Sequence, residues 1–161
     1  MSYVVCREKR KEDFKFYTTY DIQHTKYMDT RVQQNKPKVL IVDDDPFLLD
    51  MYTLKFSEQG FDVTPAASGE EAMNRLKAGG DSFSTVLLDL VMPGTDGFDL
   101  LKQIRDEKLC PSARVIVLSN LGEPSDIEKA KQYAIDGYII KASATPSEVV
   151  EKVRAIVGNS L

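Results

Sequence analysis

Short apolar runs recur between residues 38 and 141, and a stretch of helical periodicity follows each one. "KVLIV" (38–42) is a continuous apolar run of strand length. Pro46 then suits a helix first turn, and Phe47, Leu48, Met51, Leu54 and Lys55 keep helical spacing up to a stop at Gly60. "FDVTPA" predicts a second strand. Ser68-Gly-Glu-Glu71 is a capping box opening a helix with Ala72, Leu76 and Ala78 on its apolar side, closed by Gly79-Gly80. "TVLLDL" predicts strand three, "MPGTDG" a turn, and "FDLLKQIRDEKL" an amphipathic helix with Phe98, Leu101 and Ile104 in one stripe. "ARVIVLSN" predicts strand four, a helix runs from Pro124 through Tyr133, and "DGYIIK" predicts strand five. Thr145-Pro146-Ser147-Glu148 is a second capping box, opening a helix with Val149, Val153 and Ile156 inward. Alternating strands and helices with near-continuous apolar strands predict a parallel sheet covered on both faces.

The polar positions carry the second signal. In such a sheet, ligands gather outside the carboxyl ends of the strands. Strand one ends at Asp43-Asp44, strand three at Asp89, strand four at Ser119 and strand five at Lys141. Each has an ordinary reading by itself. Asp43–Asp45 suits a solvated turn with Asp45 capping the next helix, Asp89 a loop-leading aspartate, Ser119 a strand-end hydroxyl, and Lys141 a solvated cation. Together at one rim, a shared site is the better explanation.

Residues 1–36 read differently. The first 27 contain no Leu, Ala, Gly or Pro, yet hold four of the seven tyrosines and the only histidine, His24. Phe14, Phe16, Thr18, Tyr20 and Ile22 alternate weakly, as one strand would, but nothing there builds a core. "MDTRVQQNKPK" reads as a linker, and Met28 is a candidate natural start. The expected organisation is an amino-terminal arm over 1–36 and a folded domain over 37–161.

Composition narrows the function. Residues 1–36 carry eight Lys/Arg against five Asp/Glu (+3), leaving thirteen against twenty (−7) for 37–161. The main body thus has no basic footprint for nucleic acid. No apolar run approaches a membrane span, no signal peptide is present, and the two cysteines, Cys6 and Cys110, make no framework. A reducing cytoplasm is expected, with no membrane and no nucleic acid among the partners.

Several carboxylates at one spot need a counter-charge. A hard divalent cation supplies it, and Mg²⁺ in particular takes one or two carboxylates, waters and a phosphate oxygen. Lys141 adds an ammonium and Ser119 a hydroxyl. Around one carboxylate, these groups would stabilise an incoming phosphoryl group, and a carboxylate nucleophile would become an acyl phosphate. Asp89 is the candidate, being central.

"VLIVDDDP", "VLLDLVMPGTDG", "VIVLSN" and "DGYIIK", with their separations, closely resemble the receiver domain of two-component response regulators over about 38 to 158. The pattern D-x-x-MPG-x-DG after an apolar strand is the most specific element. The resemblance implies a flavodoxin-like (βα)5 fold, a doubly wound five-stranded parallel sheet of order 2-1-3-4-5. It implies Asp89 as phosphoacceptor, Asp44 as a direct Mg²⁺ ligand, Asp43 as one partly through water, and the Val91 backbone carbonyl as another. It also implies Ser119 as the switch hydroxyl, Lys141 as the phosphate-contacting lysine, and Tyr138 as the aromatic that turns inward when the hydroxyl moves. The implied cofactor is Mg²⁺. The implied donor is a histidine kinase or histidine phosphotransfer protein, and the implied output face is helix four, strand five and helix five, meeting a downstream protein or a second copy in a homodimer.

Four positions depart from the family. Ala142 stands where proline usually follows a cis bond. A cis bond to alanine costs about 2.5–4 kcal/mol, so a trans bond and a differently aimed lysine are expected. Asn120 replaces a small residue and is expected to narrow access to Asp89 or to hydrogen-bond the phosphate. Val91 and Leu121 are apolar where the family often tunes hydrolysis, which predicts slow self-dephosphorylation. After the fifth helix only "GNSL" remains, so a stand-alone receiver acting through partners is expected, a phosphoacceptor signalling protein rather than an enzyme. Two other readings compete. A receiver fold could serve purely as an unphosphorylated interaction module. A haloacid-dehalogenase-type phosphohydrolase would use Asp43 and Asp45 as D-x-D, but Phe47 does not fit it.

Overall fold

The computed structural model describes residues 36–158. The expected arm, and the weak alternation over 14–22, lie outside the described residues apart from Lys36. The elements follow in order: β1 (Lys38–Val42), α1 (Pro46–Glu58), β2 (Asp62–Ala66), α2 (Gly69–Gly79), β3 (Thr85–Leu88), α3 (Gly97–Asp106), β4 (Arg114–Ser119), α4 (Pro124–Lys131), β5 (Gly137–Ile140) and α5 (Pro146–Gly158). All five strands pair in parallel in the order β2-β1-β3-β4-β5, the flavodoxin-like arrangement expected. In the three central strands, β1, β3 and β4, alternate side chains enter one of two cores, as a sheet covered on both faces requires. Leu40, Val42, Val86, Leu88, Val115 and Val117 meet α2 and α3 on one face. Val39, Ile41, Leu87, Ile116 and Leu118 meet α1 and α5 on the other.

The helix starts follow their sequence signals. Asp45 Oδ1 accepts the amides of Phe47 (2.9 Å) and Leu48 (3.2 Å), capping α1. Ser68 Oγ accepts the Glu71 amide at 3.1 Å, and Glu71 reaches back to the Ala67 amide at 3.0 Å. Thr145 and Glu148 close a reciprocal box at 2.7 and 3.3 Å. These contacts satisfy donors that a helix start would otherwise leave open.

Three details differ from expectation. In α1 the spacing singled out Phe47, Leu48, Met51, Leu54 and Lys55 without assigning an inner face; the buried residues are Leu49, Tyr52 and Phe56, while Phe47 is 73% and Leu54 58% exposed. In α2, Met73 is buried and Ala78 is exposed. Helix α4 ends at Lys131, two residues before Tyr133.

Between β3 and α3 the turn is itself ordered, with Val91–Met92 and Thr95–Asp96 forming a short antiparallel ladder. Gly94 supplies the positive φ (71°) that the bend needs. Gly97 N donates to Leu90 O at 3.2 Å, and a Cβ at Gly97 would sit 2.3 Å from Leu90 Cα. Since that neighbour is backbone, Gly97→Ala must shift the loop that leads out of Asp89. The expected cost is about 1–3 kcal/mol, read as a lower midpoint in urea. An unchanged midpoint would show that the loop yields freely.

Candidate functional site

Parallel pairing brings the polar strand ends together. Val42 pairs with Leu88, and Ser119 with Ile140, so Asp43, Asp89, Ser119 and Lys141 all emerge at one end of adjacent strands. A bond from the Asp89 amide to Val42 O, 3.0 Å, fixes the stagger between the two aspartates.

Asp89 is 5% exposed and its carboxylate is fully engaged. Oδ1 accepts from the Ser119 hydroxyl at 2.8 Å and from the Val91 amide at 3.0 Å, and Oδ2 accepts from Lys141 Nζ at 2.6 Å. Asp43, 1% exposed, receives the same ammonium on Oδ2 at 2.6 Å and the Asp45 amide on Oδ1 at 3.1 Å. One lysine therefore serves two buried carboxylates. Burial opposes the Lys141 charge, but the hydrogen bonds to Asp43 and Asp89 outweigh it and raise its pKa. At Asp43 the balance is reversed: burial raises its pKa, and Lys141 only partly offsets this. One ammonium shared between two buried carboxylates leaves Asp43 held above its ordinary range.

Asp44 opens to solvent beside them, and one oxygen from each of Asp43, Asp44 and Asp89 lies within 4.8 Å of the others. Hard oxygen donors with excess negative charge suit a divalent cation of the Mg²⁺ type. Val91 is 52% exposed at the rim.

The lysine answers the expectation about Ala142. No cis peptide bond occurs among the described residues, so the 141–142 bond is trans as expected, and Lys141 nonetheless reaches Asp89. Residues 141–143 form a short 3-10 turn that lets the side chain point back over the strand end.

Tyr138 lies half-buried on β5, and its hydroxyl donates to Leu121 O at 2.9 Å. The segment Ser119–Leu121 is thus bonded to Asp89 at one end and to Tyr138 at the other. Leu121 packs against the α2–α3 core, while Asn120 is exposed. One residue at this site was not anticipated: Tyr52, whose inward position follows only from reading Leu49, Tyr52 and Phe56 as the buried period of α1.

The profile of the response regulator receiver domain matches residues 39–154. Among curated relatives, the transcriptional regulatory protein ResD of Bacillus subtilis is 33% identical over 126 residues, 78% of this chain and 50% of ResD. The chain spans about half the length of the curated relatives it matches. Among solved structures, the receiver domain of Francisella response regulator 1452 aligns at 28% identity and TM-score 0.69, covering 78% of this chain and all of that one. The CheX–CheY–BeF3–Mg complex from Borrelia burgdorferi aligns at 31% identity and TM-score 0.68, covering 74% and 88%. By the match over 39–154, on a sheet of this order with these strand ends, the chain belongs to the response regulator receiver domain family.

Proposed function

We propose that Asp89 accepts a phosphoryl group from a histidine kinase or histidine phosphotransfer protein, and that the folded unit, 37–161, signals through α4, β5 and α5. The observation that supports this most is the Asp89 carboxylate, buried, held by Ser119 and Lys141, and edged by Asp43 and Asp44. A carboxylate oxygen of Asp89 forms the new bond to phosphorus as the P–N bond of the donor breaks. The electron pair of that bond stays on the ring nitrogen; the other ring nitrogen keeps its proton, so the imidazole departs neutral. A magnesium ion held by Asp43, Asp44, Asp89 and the Val91 carbonyl would, when bound, supply positive charge to the crowded oxygens. Lys141 stabilises charge on the phosphoryl oxygens. Ser119, which now donates to Asp89, can turn to a phosphoryl oxygen, and the Leu121–Tyr138 bond passes that movement of 119–121 to β5. The partners are proteins in a reducing cytoplasm, since the acidic body does not favour a phosphate backbone. The phosphohydrolase alternative falls with the family match, and the intact acidic site disfavours a purely passive module.

Incubation with acetyl phosphate and Mg²⁺ should add one phosphoryl group by intact mass, and chelator should prevent it. Mass gain that ignores the metal would overturn the metal's role. The phosphorylated form should also be long-lived, because Val91 and Leu121 are apolar at the two positions where the family tunes hydrolysis and offer a water no polar partner. Replacing both, as Val91→Asn with Leu121→Gln, should shorten the half-life several-fold in a timed mass assay. An equal or longer half-life in the variant would sink that explanation.

A further inference from the structure

Helix α4 is fastened unequally at its two ends. At the carboxyl end, Arg105 on α3 donates from Nε to Tyr133 O at 3.0 Å and from Nη2 to Ala134 O at 2.6 Å. Its Nη2 also lies 3.7 Å from Asp136 Oδ2. Lys129 Nζ sits 3.8 Å from the centroid of the Phe98 ring on α3, and Ala130 is buried. Asp136 follows at once, its amide donating to Val115 O at 2.7 Å. Ala134 itself has a φ of 53°, a left-handed backbone that a Cβ disfavours. Such a conformation persists where its surroundings hold it, and the guanidinium fork grips the carbonyls on both sides of the Ala134 Cα. The amino end has no such brace among the described residues. Glu123, at the cap position, makes no side-chain hydrogen bond to the first turn, and residues 122–125 are exposed.

We infer that α4 is a lever pinned at its carboxyl end, with Arg105 as the pin, and that its free amino end carries the signal. This rests on the reading of Ser119–Leu121 as the segment that moves on phosphorylation. That segment leads into α4 through residues 122–123, so its displacement enters at the unbraced end. The eight residues of the helix span about 12 Å. Rotation about the pin therefore moves Pro124 most and Lys131 least. The surface that changes is 122–128, and a protein that reads the switch meets that half of the helix. Arg105 is a positioning residue, because it touches no reacting atom and acts through the backbone of 133–134. Without it both ends yield, and the movement spreads along the helix.

Hydrogen exchange read by mass spectrometry tests this on the full chain, first at rest and then with beryllofluoride and Mg²⁺ as a phosphoryl mimic. In the native protein the mimic should change exchange several-fold over 121–128 and leave 131–136 nearly unaltered. At rest, Arg105→Gln should exchange about tenfold faster over 131–136, the effect of losing charge-assisted hydrogen bonds, with β3 unaffected. With the mimic it should respond alike at both ends, which a merely structural role for Arg105 would not produce. Arg105→Lys, which keeps the charge and loses the fork, should fall between the two proteins. Equal responses at both ends of native α4 would overturn the lever. Native resting exchange over 131–136 in both Arg105 variants would overturn the pin. No response anywhere at saturating mimic would refute the switch reading and the lever with it, while the resting comparison, which needs no mimic, still decides the pin.

Discussion

Lys141→Met should destabilise the metal-free protein by about 3–5 kcal/mol at neutral pH, because it strands two buried carboxylates that share one counter-ion. The side chains of Asp43 and Asp89 are 2% and 7% exposed, so water replaces little of the lost ammonium. The penalty belongs to the ionised forms. It should shrink as pH falls, because protonating Asp43, whose pKa burial raises, removes part of the uncompensated charge. Urea unfolding in chelator at neutral and mildly acidic pH reads both effects. A loss below about 1 kcal/mol, or one independent of pH, would show that the ion pairs contribute little. The same substitution should slow phosphorylation by about 10²–10³, the usual effect of losing one preorganised charge at a developing anion. Slower transfer in a variant refolded at saturating Mg²⁺ separates the chemical role from the structural one.

Magnesium should stabilise the protein, and Asp43 should be central to the response. Burial raises the pKa of Asp43 despite Lys141. For an acid with a raised folded pKa, the associated stability is complete below the unfolded pKa and is lost as pH rises through the folded one. Ionised Asp43 therefore costs stability at neutral pH in the absence of metal. Asp43→Asn should raise the unfolding midpoint in chelator, since Lys141 still has Asp89. In the native protein a cation relieves that cost, adding about 2.7 kcal/mol at a hundredfold excess over its dissociation constant. The gain should fade on acidification, because the ligands must be ionised. Asp43→Asn should lose most of it. Equal Mg²⁺ stabilisation in both proteins would place the metal elsewhere.

What the sequence disclosed, and what it hid, follows from where the information lies. The strands were legible because both faces of the sheet are covered, so "VLIV" and "VIVL" run apolar without interruption. The site was legible because parallel strands end together, so Asp43, Asp89, Ser119 and Lys141 each announce themselves at the end of an apolar run. Helix α1 hid its inner face because it has two apolar stripes three to four residues apart. Phe47 and Leu54 obey helical spacing as well as Leu49 and Phe56 do, and only packing against β1 and α5 selects the inner pair. Tyr52 was missed for that reason.

Contacts between distant segments left no local trace. Asp136 is held by Arg114 at 2.7 Å and accepts the Val115 amide at 2.8 Å, while Arg105 donates to the Tyr133 and Ala134 carbonyls that close α4. No periodicity links α3, β4 and the end of α4. Likewise, Ala142 argued for a differently aimed lysine, but the 3-10 turn at 141–143 brings Nζ to Asp89 through a trans bond.

The most direct measurement is intact mass and peptide mapping after incubation with Mg²⁺ and acetyl phosphate, for the native chain and for Asp89→Asn. The expected result is one phosphoryl group mapped to the peptide containing Asp89 and none on the variant. A phosphoryl group that persists in Asp89→Asn, or none on a native chain whose circular dichroism shows an intact fold, would contradict the assignment of Asp89 as the acceptor.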